Sequence, residues 1–298
     1  MKFTPKRLQR VGSAIFVAAG CAEAEAELVA RYLVKANLVG HDSHGIIRVP
    51  QYVQQLAEGR IQANQSPTVV SDAGAAVILD GNLGFGQVMG EQAVIHGLAK
   101  ARQHGVSLVG LRNVAHLGRI GDWAELAAEA GVISLHFVNI LDAPWVAPFG
   151  GRERRLSTNP LACGIPAADG PPVIADFATC AVAEGKIRVA RNKGLKLPEG
   201  SILDREGRPS TNPQDVYEGG AILPIAGHKG HALAIIVDLL AGTLSGGGSA
   251  NPEVTGNRSN MLSLFVDPGV FADADAVARE TGRFVEWIKS SAPVDPDG

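Results

Sequence analysis

Apolar positions in the first sixty residues recur three and four apart. Leu8, Val11, Ile15 and Ala18 fall on one stripe, and residues 22–34 carry the pattern on. Residues from about 5 to 60 therefore read as helices. The pattern then changes period. Residues 65–80 alternate as strands broken at Asp72-Ala73-Gly74, a hairpin signal. Helical spacing returns over 87–104 and 119–130, each followed by an apolar strand, at 106–111 and 132–138. A short strand follows at 173–176 and a helix at 181–193. Residues 194–220 are loop-rich, with a turn at Asp204-Arg205-Glu206-Gly207. An apolar helix at 231–244 ends in the glycine-rich run 245–249, and a strand (261–266) and a helix (272–289) follow. No internal repeat is visible. Helices and strands alternate, which places the chain in the α/β class.

Composition narrows the picture. The 298 residues can bury a sizeable core, and 46% hydrophobic with 19% charged residues is a globular balance. A net charge of −3 leaves no electrostatic footprint for nucleic acid. The one dense basic cluster, Arg152-Glu153-Arg154-Arg155, reads as a solvated loop. No run of eighteen apolar residues suggests a membrane span. Cys21, Cys163 and Cys180 are few, odd in number and without zinc spacing, so a reducing compartment is expected. A basic start (1–10), an apolar stretch (11–20) and Ala19-Gly20-Cys21 imitate an exported leader. The helical stripe runs straight through that point, and a cytoplasmic location is expected.

A second imitation lies at 75–112. An apolar strand leads into Gly81-Asn82-Leu83-Gly84-Phe85-Gly86, then a helix and a strand, as in a dinucleotide-binding Rossmann unit. The spacing of Gly84, Gly86 and Gly90 is G-x-G-x-x-x-G, and Arg112-Asn113 stands where a ribose-binding acid belongs. This loop reads as structural.

The stretch richest in chemistry is Gly40-His41-Asp42-Ser43-His44-Gly45-Ile46-Ile47-Arg48-Val49-Pro50-Gln51-Tyr52. If the helix runs on, His44, Arg48 and Tyr52 share a face at i, i+4 and i+8. An imidazole can protonate a carbonyl oxygen, and a guanidinium can hold a carboxylate by two parallel hydrogen bonds. The spacing equally suits a helix end with a surface Arg and a capping His, and Pro50 disfavours helix at Val49.

This stretch resembles the signature of the malate/L-lactate dehydrogenase family, which is distinct from the common lactate dehydrogenases. Further segments carry the resemblance in order along nearly the whole chain. They are Asn113 to Arg119 (N-x-x-H-x-G), Pro148-Phe149-Gly150-Gly151 with Thr158-Asn159-Pro160, Asp176-Phe177-Ala178-Thr179-Cys180, Leu197-Pro198-Glu199-Gly200, and Gly227-His228-Lys229-Gly230. The resemblance implies a non-Rossmann NAD(P)-binding fold with a largely antiparallel or mixed sheet flanked by helices. It implies a helical N-terminal region, 1–70, that carries the catalytic motif and packs with 265–298. Residues 71–264 would form the cofactor domain, with its insertion at about 194–220.

By the same resemblance, the activity is hydride transfer between NAD or NADP and a 2-oxoacid/2-hydroxyacid pair. His44 would be the acid/base, with His116 as its rival and Ser43 orienting the ring. Arg48, Tyr52 and Asn159 would hold the substrate, with Gln51 and residues 140–145 as pocket walls. Ile174, Asp176, Phe177, Ala178, Thr179, Cys180, His228 and Lys229 would hold the cofactor; no metal and a homodimer are implied. Reduction of a cyclic imine carboxylate is the alternative. Cys180 departs from the family's Ser, and Ala226 from a frequent Gly. The chain closes at Asp295-Pro296-Asp297-Gly298, where the family continues into a P-G-E segment. A homologue that binds without turnover is therefore also carried forward.

Overall fold

The computed structural model describes residues 3–142, 144–251, 253–254 and 258–294. The chain-end segment Asp295–Gly298 and wall position Ala143 lie outside them. Two helices, α1 (Pro5–Ala18) and α2 (Glu23–Leu38), open the chain. The expected helix through His44 does not run on: two 3-10 turns, Asp42–His44 and Ile46–Arg48, lead to α3 (Val49–Ala57). Pro50 sits in the first turn of α3, where its missing N–H costs nothing, so it starts a helix there rather than kinking one.

A hairpin of β1 (Thr68–Ala73) and β2 (Ala76–Asp80) is followed by α4 (Gly86–His104), β3 (Val106–Val114), α5 (Gly121–Glu129) and β4 (Ile133–Ile140). Next come β5 (Pro160–Ile165), β6 (Val173–Ala178) and α6 (Glu184–Lys193). The insertion holds β7 (Ile202–Leu203), β8 (Pro209–Ser210), α7 (Pro213–Tyr217) and β9 (Ala221–Ile222). The chain ends through α8 (His228–Asp238), a π-turn (Leu239–Thr243), β10 (Ser259–Val266) and α9 (Ala274–Lys289).

Among the described residues the main sheet has seven strands in the order β1-β2-β3-β10-β4-β5-β6. Only β2 and β3 run parallel, and every other pair is antiparallel. The sheet is therefore mixed and mostly antiparallel, as the motifs imply. The Rossmann-like unit is a real parallel β2-α4-β3 crossover, but its glycines serve packing. A Cβ on Gly86 would lie 2.2 Å from the His116 carbonyl oxygen, and one on Gly90 would lie 2.5 Å from Trp123. Arg112 pairs with Asp80 at 3.1 Å.

Three differences from the sequence reading have physical causes. β5 carries a proline and small residues, so it lacks a strand-like apolar run. The 194–220 insertion folds a three-stranded sheet, β8-β7-β9, whose strands are too short to show alternation. The apolar helix at 231–244 begins earlier, at His228, and closes in the π-turn.

The main core joins Val109, Leu111, Trp123, Met261 and Phe265 between the sheet and α4/α5. A second core packs Phe16, Leu33, Tyr52 and Phe85 among α1–α3. Phe16, Tyr52 and Phe85 form an aromatic triangle with centroid spacings of 5.6–6.5 Å. The leader-like first helix thus inserts Phe16, fully buried, directly beneath the region that carries the histidines. A third core gathers Val146, Ile187, Ile202 and Ile222 around the insertion. The backbone of α9 is tied to the β5–β6 connection, with Ala168 N–H donating to the Ala278 carbonyl.

Candidate active site

His44 leaves the first 3-10 turn, and His116 lies just past the end of β3. Their rings stack with centroids 5.3 Å apart and planes 20° apart. Ser43 Oγ lies 3.0 Å from His44 Nδ1 and fixes that ring. Tyr52 Oη lies 2.7 Å from His116 Nδ1 and also accepts from Gln87 Nε2 at 3.1 Å. A buried hydroxyl hydrogen needs an acceptor. With Gln87 donating, the Tyr52 hydrogen points at Nδ1, which leaves the proton of His116 on Nε2.

Arg48 Nε donates to the Ser43 carbonyl at 2.6 Å, and Nη1 donates to Gln51 Oε1 at 2.8 Å. These neutral acceptors lock the guanidinium and leave donors over. His44, Arg48, Gln51 and His116 line one cavity of ~260 Å³ with Ile140 and Trp145. The structure thus brings His44 and Arg48 to one cavity by a different path from the i, i+4, i+8 face, with Tyr52 outside its lining. The break after His44 lets the two histidines stack, and Tyr52 points inward, 1% exposed, as a support for His116 rather than as a group facing the cavity.

Both rings are electrostatically biased toward neutrality. Burial, then the charges of Arg48, His41 and Arg119, pushes His44 down to about 3. Burial, then Arg48 and His44, holds His116 well below the usual imidazole range. Burial also pushes up the Tyr52 phenol, keeping it a hydrogen-bond donor.

A second cavity of ~520 Å³ adjoins the first, sharing His44, Gly118, Ile120, Thr158, Pro160 and Ala183. Asp176, Phe177, Ala178 and Cys180 line it, as does Ser43. Asp176 accepts from Gly121 N–H at 3.0 Å and faces Arg119 Nε at 3.5 Å; burial, the largest influence, raises its carboxyl. Arg119 is itself closed by Asp122 and Glu125. Cys180 donates to the Val182 carbonyl at 3.3 Å, and burial pushes its thiol up to about 12. It fills the family's Ser position as a neutral group.

Other expected residues stand elsewhere. Thr179 does not begin a helix, since α6 starts at Glu184. It is 1% exposed and binds the Thr158 carbonyl through both its N–H and Oγ1, at 3.1 Å each. Ile174 packs on the main core. Asn159 is fully buried and donates to the Ala234 carbonyl and Asp238, at 3.0 and 2.9 Å. Its neighbours Thr158 and Pro160 line the cavities in its place. His228 and Lys229 are exposed at the start of α8, with the His228 ring edge-on to Phe149. Ala226 has φ +49°, the left-handed conformation that explains the family's glycine.

Residues that sequence reasoning passed over are Gln87, Arg119, Glu184 and Arg188. Arg119 closes the N-x-x-H-x-G-R run and could have been found there. Glu184 and Arg188 look like an ordinary i, i+4 surface pair, and Gln87 carries no signal at all.

Comparison with known proteins identifies the family. The malate/L-lactate dehydrogenase family profile matches residues 3–298. Hydroxycarboxylate dehydrogenase B of Escherichia coli (strain K12) is 43% identical over 99% of the chain and 83% of its own length. Sulfolactate dehydrogenase from Methanocaldococcus jannaschii superposes with TM-score 0.89 at 34% identity, over 99% of this chain and 86% of that one. Delta1-piperideine-2-carboxylate reductase from Pseudomonas syringae pvar. tomato does so with TM-score 0.90 at 31% identity, over 99% and 90%. With its stacked histidines, its mixed sheet and a family match along nearly its whole length, the chain belongs to the malate/L-lactate dehydrogenase family.

Proposed function

We propose that the protein is an NAD- or NADP-dependent dehydrogenase that interconverts 2-hydroxy and 2-oxo carboxylic acids. One observation carries the reading: two imidazoles held neutral converge with the incompletely used guanidinium of Arg48 on a single cavity. Arg48 would hold the substrate carboxylate, since its fixed planar fork matches that group. In the oxidative direction His44 would take the hydroxyl proton, as a neutral imidazole can, and return it on reduction. The carboxylate on Arg48 would offset the charge that helps depress His44, which eases that protonation. His116, aligned by Tyr52, would donate its Nε2 hydrogen to the substrate oxygen and share the developing charge. Ser43 would keep the His44 ring in place.

The adjoining cavity fits a nicotinamide. Its walls Phe177, Ala178, Leu197 and Ile225 suit a flat ring, and His41 offers a buried Nδ1 with no protein partner among the described residues. A bound nicotinamide supplies the acceptor or donor for the hydride at the substrate's second carbon. The 176–180 stretch would hold its near half. His228 and Lys229 would serve the charged part outside the cavity, and Ile225 connects the two regions.

The similarity to a piperideine-carboxylate reductase supports a second substrate type, a cyclic imine beside a carboxylate. We place the enzyme in the cytoplasm as a homodimer. Three free thiols support the first, and the exposed Ile235, Ile236 and Leu239 on and beyond α8 support the second. Sedimentation at monomer mass would remove the dimer, and fractionation outside the cytoplasm would remove the location. The central test is oxidation of NADH and NADPH with pyruvate, oxaloacetate, 2-oxoglutarate, phenylpyruvate and piperideine-2-carboxylate. Turnover is expected on at least one oxoacid. Turnover on the imine alone would favour the reductase. A thermal shift with NADH but silence throughout would favour a binding homologue.

A further inference from the structure

The lining of the ~260 Å³ cavity includes a second guanidinium, Arg188 on α6. It is already occupied. Its Nη2 donates to both carboxylate oxygens of Glu184 at 2.9 Å, and its Nε donates to one of them at 3.2 Å. Glu184 is held in turn by Tyr217, whose hydroxyl donates to Oε1 at 2.9 Å. The Tyr217 ring stands edge-on to Trp145 at 6.1 Å, and Trp145 lines the same cavity. The Glu184 side chain is 15% exposed and that of Arg188 47%, so the carboxylate is the enclosed partner and the guanidinium is held onto it by three hydrogen bonds.

Arg48 differs. Its partners are the Ser43 carbonyl and the Gln51 amide, and among the described residues it has no carboxylate. With both histidines neutral and Glu184 cancelling Arg188, the lining carries one net positive charge. A single substrate carboxylate balances it. A second carboxylate reaching α6 would find Arg188 already paired with Glu184 and would lie beside that carboxylate, and like charges in a partly desolvated site repel strongly. The other large walls, Leu117, Ile120, Val138, Ile140 and Trp145, are apolar, and the polar ones beside them, Gln51, Ser157, Thr158 and Ser259, carry no charge.

We propose that Glu184 is a specificity-determining residue: by occupying Arg188 it restricts the site to 2-oxo monocarboxylates with apolar side chains and rejects 2-oxo dicarboxylates. This rests on the reading of the cavity as a 2-oxoacid site. The test compares kcat/KM for two diacids, 2-oxoglutarate and 2-oxoadipate, with two monoacids, phenylpyruvate and 4-methyl-2-oxopentanoate. The wild-type protein should prefer the monoacids. Glu184→Gln keeps the shape and the Tyr217 contact but frees the guanidinium, and the diacid/monoacid ratio should rise about tenfold or more. Adding Arg188→Gln should abolish that rise. Arg188→Gln alone leaves Glu184 unbalanced and should push the ratio below wild type. A wild-type preference for diacids, or an unchanged ratio in Glu184→Gln, overturns this inference while leaving the dehydrogenase reading intact. Wild-type silence on every oxoacid overturns both.

Discussion

Replacing Tyr52 by Phe tests the idea that His116 is oriented from below. The substitution removes one oxygen from a fully enclosed position and keeps the ring contacts with Phe16 and Phe85. It leaves His116 Nδ1 without its 2.7 Å partner and Gln87 Nε2 without its 3.1 Å acceptor. An unmet buried polar group costs about 1–3 kcal/mol. If the Gln87 side chain turns to recover part of that, a net loss of ~2 kcal/mol corresponds to a melting point lower by about 3 °C in a chain of this length. The kinetic effect is separate. Without the phenol the imidazole can take either tautomer and swing, and since a misplacement of about 1 Å in a reacting group can cost on the order of 100-fold in rate, a fall of about 10–100-fold is expected. The loss should fall on kcat, because Arg48 and the cavity walls proposed to bind substrate are untouched. The assay is steady-state oxoacid reduction beside a thermal melt, with NADH binding by fluorescence as the control. A kcat within twofold of wild type, in protein that shows the expected melting shift, would refute the orienting role. It would also leave His116 as a bystander to His44.

Three further outcomes follow from the same geometry. Arg48→Lys keeps the charge but cannot reach both Ser43 O and Gln51, so KM for oxoacids should rise about 10–100-fold with a smaller change in kcat; an unchanged KM would take Arg48 out of carboxylate binding. Gly185→Ala places a Cβ 2.4 Å from the Ser43 Cβ, so the chain must shift where Ser43 braces His44, and kcat should drop about tenfold or more with little change in cofactor binding; full activity would show that His44 tolerates the shift. Stability should fall with acid below about pH 6.5. His44 and His136 are pushed down to about 3 and His116 well below its usual range, so between those values the unfolded chain binds more protons and the native state is disfavoured as pH falls. Fully buried His136, wedged between Ser134 and Ser263, would contribute up to ~1.4 kcal/mol per pH unit in that window. A melting temperature flat from pH 7 to 5 would contradict this.

Legibility from sequence followed the physics of each element. Long amphipathic helices such as α1 and α9 announce themselves by period, and the apolar strands β3, β4 and β10 by composition. β5 lacked an apolar run, and the two-residue strands of the insertion gave too short a pattern to read. The order of the sheet was not legible at all, because nothing local in Ser259–Val266 says that it lies between β3 and β4. At the site, His44, Arg48 and His116 could be named because their chemistry is unusual for their setting and their motifs are dense. Asn159 and Thr179 misled for a reason of scale. Their motifs mark stretches that touch the cavities, but not every residue of a stretch faces them, and those two anchor to Asp238 and Thr158. Glu184 and Arg188 were invisible because a helical ion pair reads the same on a surface as beside a cavity.

The central position of β10 has a consequence for how the chain is made. β3 and β4 share no ladder with each other; each pairs with β10, and the registers meet at Ser259 opposite Val114 and Ile140. During synthesis both strands must therefore wait for a segment more than a hundred residues downstream. At the usual ribosomal pace of about 5–20 residues per second, that wait is on the order of ten seconds. Two apolar strands with open edges face each other across a gap for that time, the kind of surface that aggregates or recruits a chaperone. The α1–α3 unit and the β1-β2-β3 ladder with α4 can form early, whereas the sheet that frames the histidines closes only when the end of the chain arrives. Ribosome-bound chains halted near residue 250 should accordingly show protease-sensitive β4 beside protected N-terminal helices, and equal protection of both would mean that some other pairing stands in until β10 emerges.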